Sequence, residues 1–125
     1  YAGVYRSQDA LRDRLVTLDL DHFDEETEVA ITAAKSGLPR ADAKKIVAVV
    51  RALRELGICE YAPTVRGPIM IAKTLKVLNG SVRAGDAVFQ RLCLDILPSE
   101  TSRVGSREQS ARVKETVGKL IDEYC

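Results

Sequence analysis

The chain has 125 residues, enough for one domain with a modest core, and its 19 Lys and Arg nearly balance its 18 Asp and Glu, for a formal charge of +1. A charge so close to zero removes the electrostatic case for general nucleic-acid or anionic-membrane binding. No apolar run approaches the ~20 residues of a membrane span, and no stretch reads as a signal peptide.

In chain order, Ser7 can cap a short helix over residues 8–14, its hydroxyl accepting a free first-turn N–H. Residues 15–20 (LVTLDL) then alternate, with Val16, Leu18 and Leu20 on one face, which predicts a strand. That strand has no convincing partner elsewhere in the chain. One strand cannot satisfy its own backbone groups, so it implies a sheet supplied from outside these residues.

From Asp24 onward the pattern is helical. Acidic residues crowd the first turn of DEETEVAITAAKSG, as the helix dipole favours, and Gly37 closes the element. A second helix carries an apolar stripe of Ala43, Ile46, Val47, Val50, Leu53 and Leu56, ended by Gly57. Pro63 and Thr64 are expected to start a third, with Thr64 as cap, running through Ile69, Ala72 and Leu75 to a stop at Asn79-Gly80. The fourth runs from an Asp86 cap through Val88, Phe89, Leu92, Cys93 and Ile96, with Pro98 expected to end it. After the polar linker SETSRVGS, the capping-box spacing of Ser106 and Gln109 opens a last amphipathic helix through Val113, Val117, Leu120, Ile121 and Tyr124. No internal repeat or low-complexity tract is present. The expected fold is therefore mainly α: a bundle of four helices plus a C-terminal one, preceded by one helix and one strand.

Few residues carry a chemical signal. Cys59, Cys93 and Cys125 lie too far apart for a zinc signature, and an odd number argues against a disulfide framework. They read as small hydrophobes, two in or near the helical core and one at the tail, in a reducing, cytoplasmic setting. His22 is the only histidine and suits a solvated or capping role at a strand-to-helix junction. The acidic run Asp19, Asp21, Asp24, Glu25 and Glu26 lacks the glycine and terminal glutamate of a calcium loop, so no metal site is expected. No GxxxxGK[ST] or GxGxxG is present to cradle a triphosphate. Arg40, Lys44, Lys45 and Arg51 make the polar face of the second helix basic, which reads as a solvated surface.

Three arginines remain. Arg12 and Arg14 end the short helix expected over residues 8–14, where cations are stabilised by the dipole and the free carbonyls. Arg66 follows the Thr64 cap, where the dipole disfavours a cation. An anionic partner is the natural counterweight there, either a carboxylate or a phosphate, whose oxygens the planar guanidinium fits.

The combination of YAGVYRSQDALRDRL, HFDEETEVAITAAKSGLPRADA, PTVRGPIMIA and FQRLCLDILPSET resembles the gas vesicle protein N family of MoxR-type AAA+ ATPases over residues 1–101. The resemblance implies that the chain is the C-terminal, lid-containing part of such an ATPase. Residues 1–20 would be a remnant of the α/β core, residues 21–101 the helical lid, and residues 102–125 a linker and C-terminal helix. The strand would be the last one of a sheet whose P-loop and Walker B acid lie upstream. Carried over by position, Arg14 matches the arginine finger, acting on a neighbouring subunit's γ-phosphate in a homo-oligomeric ring. Arg66 matches the sensor arginine of the lid, acting in cis or in trans, and Arg12 is a weaker candidate. The implied cofactors are ATP and Mg in the whole ATPase, with none bound by these residues alone. The implied partners are other gas vesicle proteins, at a cytoplasmic location open to vesicle association. Gly67-Pro68 departs from the family's usual pair. Two other readings stand beside this one: a non-enzymatic helical module that holds a partner, and a MoxR-type activator of a metabolic enzyme complex.

Overall fold

Asp24 opens the first helix: its carboxylate accepts the Thr27 N–H at 2.7 Å. The Thr27 hydroxyl, and after it that filled first-turn N–H, hold the Asp24 carboxyl below its ordinary range. The computed structural model describes residues 23–102 and 107–125. In them α1 (Glu25–Ser36) and α2 (Arg40–Leu56) end at Gly37 and Gly57, whose φ of 80° and 66° place both in the left-handed region that a Cβ disfavours. They are followed by α3 (Arg66–Val77), α4 (Ala87–Thr101) and α5 (Arg107–Tyr124). Among the described residues there is no strand. The mainly α expectation is met. The helix over 8–14 and the strand over 15–20 lie outside the described residues.

One core joins α2, α3, α4 and α5. Val50 and Leu53 from α2 meet Ile71 and Leu75 from α3, Phe89 and Leu97 from α4, and Val117 and Ile121 from α5. A smaller cluster of Val29, Ala43 and Val47 fastens α1 to α2. The last helix is therefore docked. Burying Val113, Val117, Leu120 and Ile121 contributes on the order of 6 kcal/mol or more, before the entropy of ordering the helix is subtracted. The Gln109 side-chain amide adds a hydrogen bond to the Ile58 carbonyl.

Three sequence expectations need correction. Pro98 does not end the fourth helix, which continues to Thr101. Pro98 is buried, and the turn beyond it is held by the Thr101 hydroxyl donating to the Leu97 carbonyl at 2.7 Å and by the Tyr61 N–H donating to the Thr101 carbonyl at 3.0 Å. These contacts offset the hydrogen bond a proline removes. The third helix begins at Arg66, one residue later than a Thr64 cap would place it, with Val65 at the boundary; the Thr64 hydroxyl and carbonyl still accept the Arg66 and Gly67 N–H groups. The core stripes are also narrower than the apolar pattern: Leu56, Val88 and Tyr124 are exposed, and Phe89, Cys93 and Leu97 form the inner row of α4.

Cys93 lies inside this core, and burial pushes its thiol from an ordinary 9.0 up to about 12. Burial also raises the thiols of Cys59 and Cys125, which are only partly covered. A raised folded-state pKa contributes stability that is complete below the unfolded value and is lost as pH climbs through the folded one. Stability is therefore expected to fall between about pH 9 and pH 12, and a Cys93→Ala chain should show a shallower alkaline decline in urea melts. A decline of unchanged steepness would remove Cys93 as its source.

Candidate functional site

The N-terminal end of α3 is the one place where a sequence-predicted site residue can be located. Arg66 is the first residue of the helix, is exposed, and has no acidic residue beside it in the first turn. Its backbone N–H donates to the Thr64 hydroxyl at 3.3 Å, and the Gly67 N–H donates to the Thr64 carbonyl at 3.2 Å. Among the described residues, no carboxylate pairs with its guanidinium. A cation at the positive end of a helix is locally disfavoured, and the dipole there favours an anion.

Gly67 and Pro68 fix where this end sits. Both are buried, and a Cβ on Gly67 would come within 3.3 Å of Leu97 Cδ2. The glycine thus lets α3 approach α4 closely. Pro68, at the third helical position, gives up an N–H that no earlier turn could have bonded. The pair that departs from the family pattern is accommodated by packing.

Behind this end lies a charged cluster that sequence reasoning missed. Glu28 of α1 is buried, its side chain 2% exposed, among the otherwise apolar and small residues facing α2 and α3. Its carboxylate accepts Arg51 Nη1 at 2.5 Å, Arg54 Nη1 at 2.9 Å and Arg54 Nη2 at 3.0 Å. Arg54 also donates from Nε to the Pro63 carbonyl at 2.8 Å, and Arg51 donates to the Phe23 carbonyl at 3.2 Å. One buried carboxylate therefore ties the start of α1, the last two turns of α2 and the turn before α3 together. The expectation of a solvated basic face on α2 holds for Arg40 and Lys44, which are exposed, and fails for Arg51, which is an internal ion-pair partner. The signal was present: Glu28 stands four residues before Thr32, on the same face as the next buried position of α1, and Arg51 and Arg54 are one helical turn apart.

Arg12, Arg14 and His22 lie outside the described residues. Of the acidic run, Asp24 is the α1 cap and Glu25 and Glu26 are exposed in its first turn. No described helix is long and apolar enough to cross a membrane.

Comparison with known proteins extends this picture. The chain is 39% identical over its whole length to a gas vesicle ATPase GvpN of Ancylobacter aquaticus, covering 36% of that protein. It is 38% identical to the gas vesicle ATPase GvpN of Haloferax mediterranei over 82% of the chain and 28% of the relative. To the gas vesicle ATPase GvpN1 of Halobacterium salinarum it is 31% identical over 98% of the chain and 33% of the relative. No family model matches the chain, and no solved structure matches it. A helical segment with an exposed arginine at a helix start is thus homologous to the C-terminal part of ATPases. The chain belongs to the gas vesicle ATPase GvpN family, and it spans about a third of the length of the relatives it matches.

Proposed function

We propose that this chain is the lid-containing part of a ring-forming AAA+ ATPase of the MoxR type, which spends ATP hydrolysis on gas vesicle assembly. Identity over the whole chain with proteins named gas vesicle ATPases carries the reading. In it, Arg66 faces the γ-phosphate and reports its presence to the lid, with the positive end of the α3 dipole favouring negative charge on the same side. Arg14 reaches the nucleotide of a neighbouring subunit and offsets charge as the terminal phosphoryl group departs. Arg12 stands beside it with a lesser role. The exposed guanidinium of Arg66 fits a phosphate; magnesium would be held by phosphate oxygens and by groups outside the described residues. The location is cytoplasmic, at or near gas vesicles, with other gas vesicle proteins as partners.

The purified 125-residue chain is expected to turn over no ATP, whereas the longer ATPase containing it does. Measurable hydrolysis by the 125-residue chain itself, free of contaminating ATPase, would overturn the assignment of these residues to the lid.

A second reading, a helical module that holds a partner without chemistry, is favoured by one observation. Val77 is 80% exposed and Leu78 54% exposed at the end of α3, beside the exposed Val88 of α4. Binding of a vesicle component by the 125-residue chain as tightly as by the longer ATPase would support it.

A further inference from the structure

We infer that Arg54 is a positioning residue for Arg66: it clamps the turn before α3 to a buried carboxylate and so sets where the Arg66 guanidinium is presented. This rests on the reading of Arg66 as a phosphate-facing group. The turn is weakly held by its own bonds. Its two local hydrogen bonds, Arg66 N–H to the Thr64 hydroxyl and Gly67 N–H to the Thr64 carbonyl, are 3.3 and 3.2 Å long, at the far end of the useful range. Val65, at the helix boundary, contributes no side-chain cap. The contact from outside is stronger: Arg54 Nε to the Pro63 carbonyl is 2.8 Å and charge-assisted.

The clamp is rigid because all three faces of the Arg54 fork are used. Nη1 and Nη2 are spent on the two oxygens of Glu28, at 2.9 and 3.0 Å, which fixes the plane of the guanidinium and aims Nε at Pro63. Glu28 is itself held by the body of α1 and by Arg51. Between the clamped carbonyl and Arg66 there are only two residues, Thr64 and the buried Val65. A lysine at position 54 can pair with Glu28 but offers a single ammonium, which cannot also reproduce the fixed Nε bond to Pro63. Arg51 provides the control. It shares the same carboxylate, yet its second bond goes to the Phe23 carbonyl and not to the turn before α3.

The test compares Arg54→Lys, Arg51→Lys, Arg66→Ala and the Arg54→Lys/Arg66→Ala pair in the longer ATPase, by steady-state hydrolysis and by amide hydrogen exchange. Arg54→Lys is expected to speed exchange at the Gly67 and Ile69 amides and to lower kcat by about tenfold, with KM within about twofold, since a small misplacement of an orienting group acts on the chemical step. Arg51→Lys should do neither. In the Arg66→Ala background the loss from Arg54→Lys should shrink to less than about twofold, because the residue it positions is gone. Losses that simply multiply, equal losses from Arg51→Lys, or unchanged exchange at Gly67 would each overturn the inference. If Arg66→Ala alone leaves kcat intact, the sensor reading fails, and hydrogen exchange at Gly67 then decides by itself whether Arg54 clamps the turn.

Discussion

Glu28→Gln is expected to destabilise the chain by about 3 kcal/mol and to lower its melting temperature by roughly 10 °C or more. The argument starts from burial. The Glu28 side chain is 2% exposed, and the arginines it holds are 27% and 20% exposed. Glutamine keeps the shape but removes the charge and turns one acceptor into a donor, which then faces guanidinium N–H groups. Two cations are left partly buried without their counter-ion, and that penalty exceeds any attraction the pair supplied in the first place. The partial exposure of both arginines keeps the figure at the lower end of what breaking a buried pair costs. A surface pair gives the contrast. Arg91 and Asp95 are 3.7 Å apart with side chains 84% and 63% exposed, so Arg91→Ala should move the melting temperature hardly at all. Thermal melts of both variants, repeated in ~0.5 M salt, check the argument, because screening acts on exposed charges and spares buried ones. A Glu28→Gln shift that vanishes in salt would return Glu28 to the surface class. Replacing Glu28, Arg51 and Arg54 together by leucine should recover part of the loss, since it is the stranded charge that destabilises.

This cluster also marks the limit of what was legible in the sequence. Local rules worked where local physics decides. The expected Asp86 cap is formed, accepting the Phe89 N–H at 3.0 Å, and the glycines after α1 and α2 have the left-handed backbone expected of them. The α5 stripe is buried at four of its five positions, but periodicity gave no reason for it to share a core with α2. That is a fact of tertiary packing. Pro98 shows the same limit from the other side. A proline removes one hydrogen bond by local chemistry, and only the Leu97 carbonyl, the Thr101 hydroxyl and the distant Tyr61 amide explain why the helix survives it. Glu28 was read as one more acid favouring a helix start, because an acid there is stabilised by the dipole wherever its side chain goes. Its real partners are 23 and 26 residues away. At the candidate site, the position of Arg66 was legible from the conflict between its charge and the helix dipole. The clamp behind it was not, because it depends on a backbone carbonyl, which every residue has.

In the longer ATPase, Arg14→Ala is expected to lower hydrolysis by about a thousandfold or more while leaving nucleotide binding nearly unchanged. The magnitude follows from the role proposed for it. A guanidinium that meets the terminal phosphate only as charge shifts onto the leaving oxygens stabilises the transition state far more than the bound nucleotide, so kcat falls and affinity does not. Arg14→Lys should recover little, because a point charge lacks the fork that spans two phosphate oxygens. The decisive measurement is complementation. Mixing Arg14→Ala subunits with subunits whose nucleotide site is disabled, but whose Arg14 is intact, should restore part of the activity if the arginine serves a neighbour. Each disabled subunit would then lend its Arg14 to an adjacent intact site. If Arg14 served its own subunit's nucleotide, every subunit in the mixture would lack one half of the machinery and no activity would return. Arg66→Ala can be run through the same mixture to place the lid arginine. Restoration would show that α3 presents it across the subunit boundary, and persistent inactivity would show that it closes on the nucleotide of its own chain.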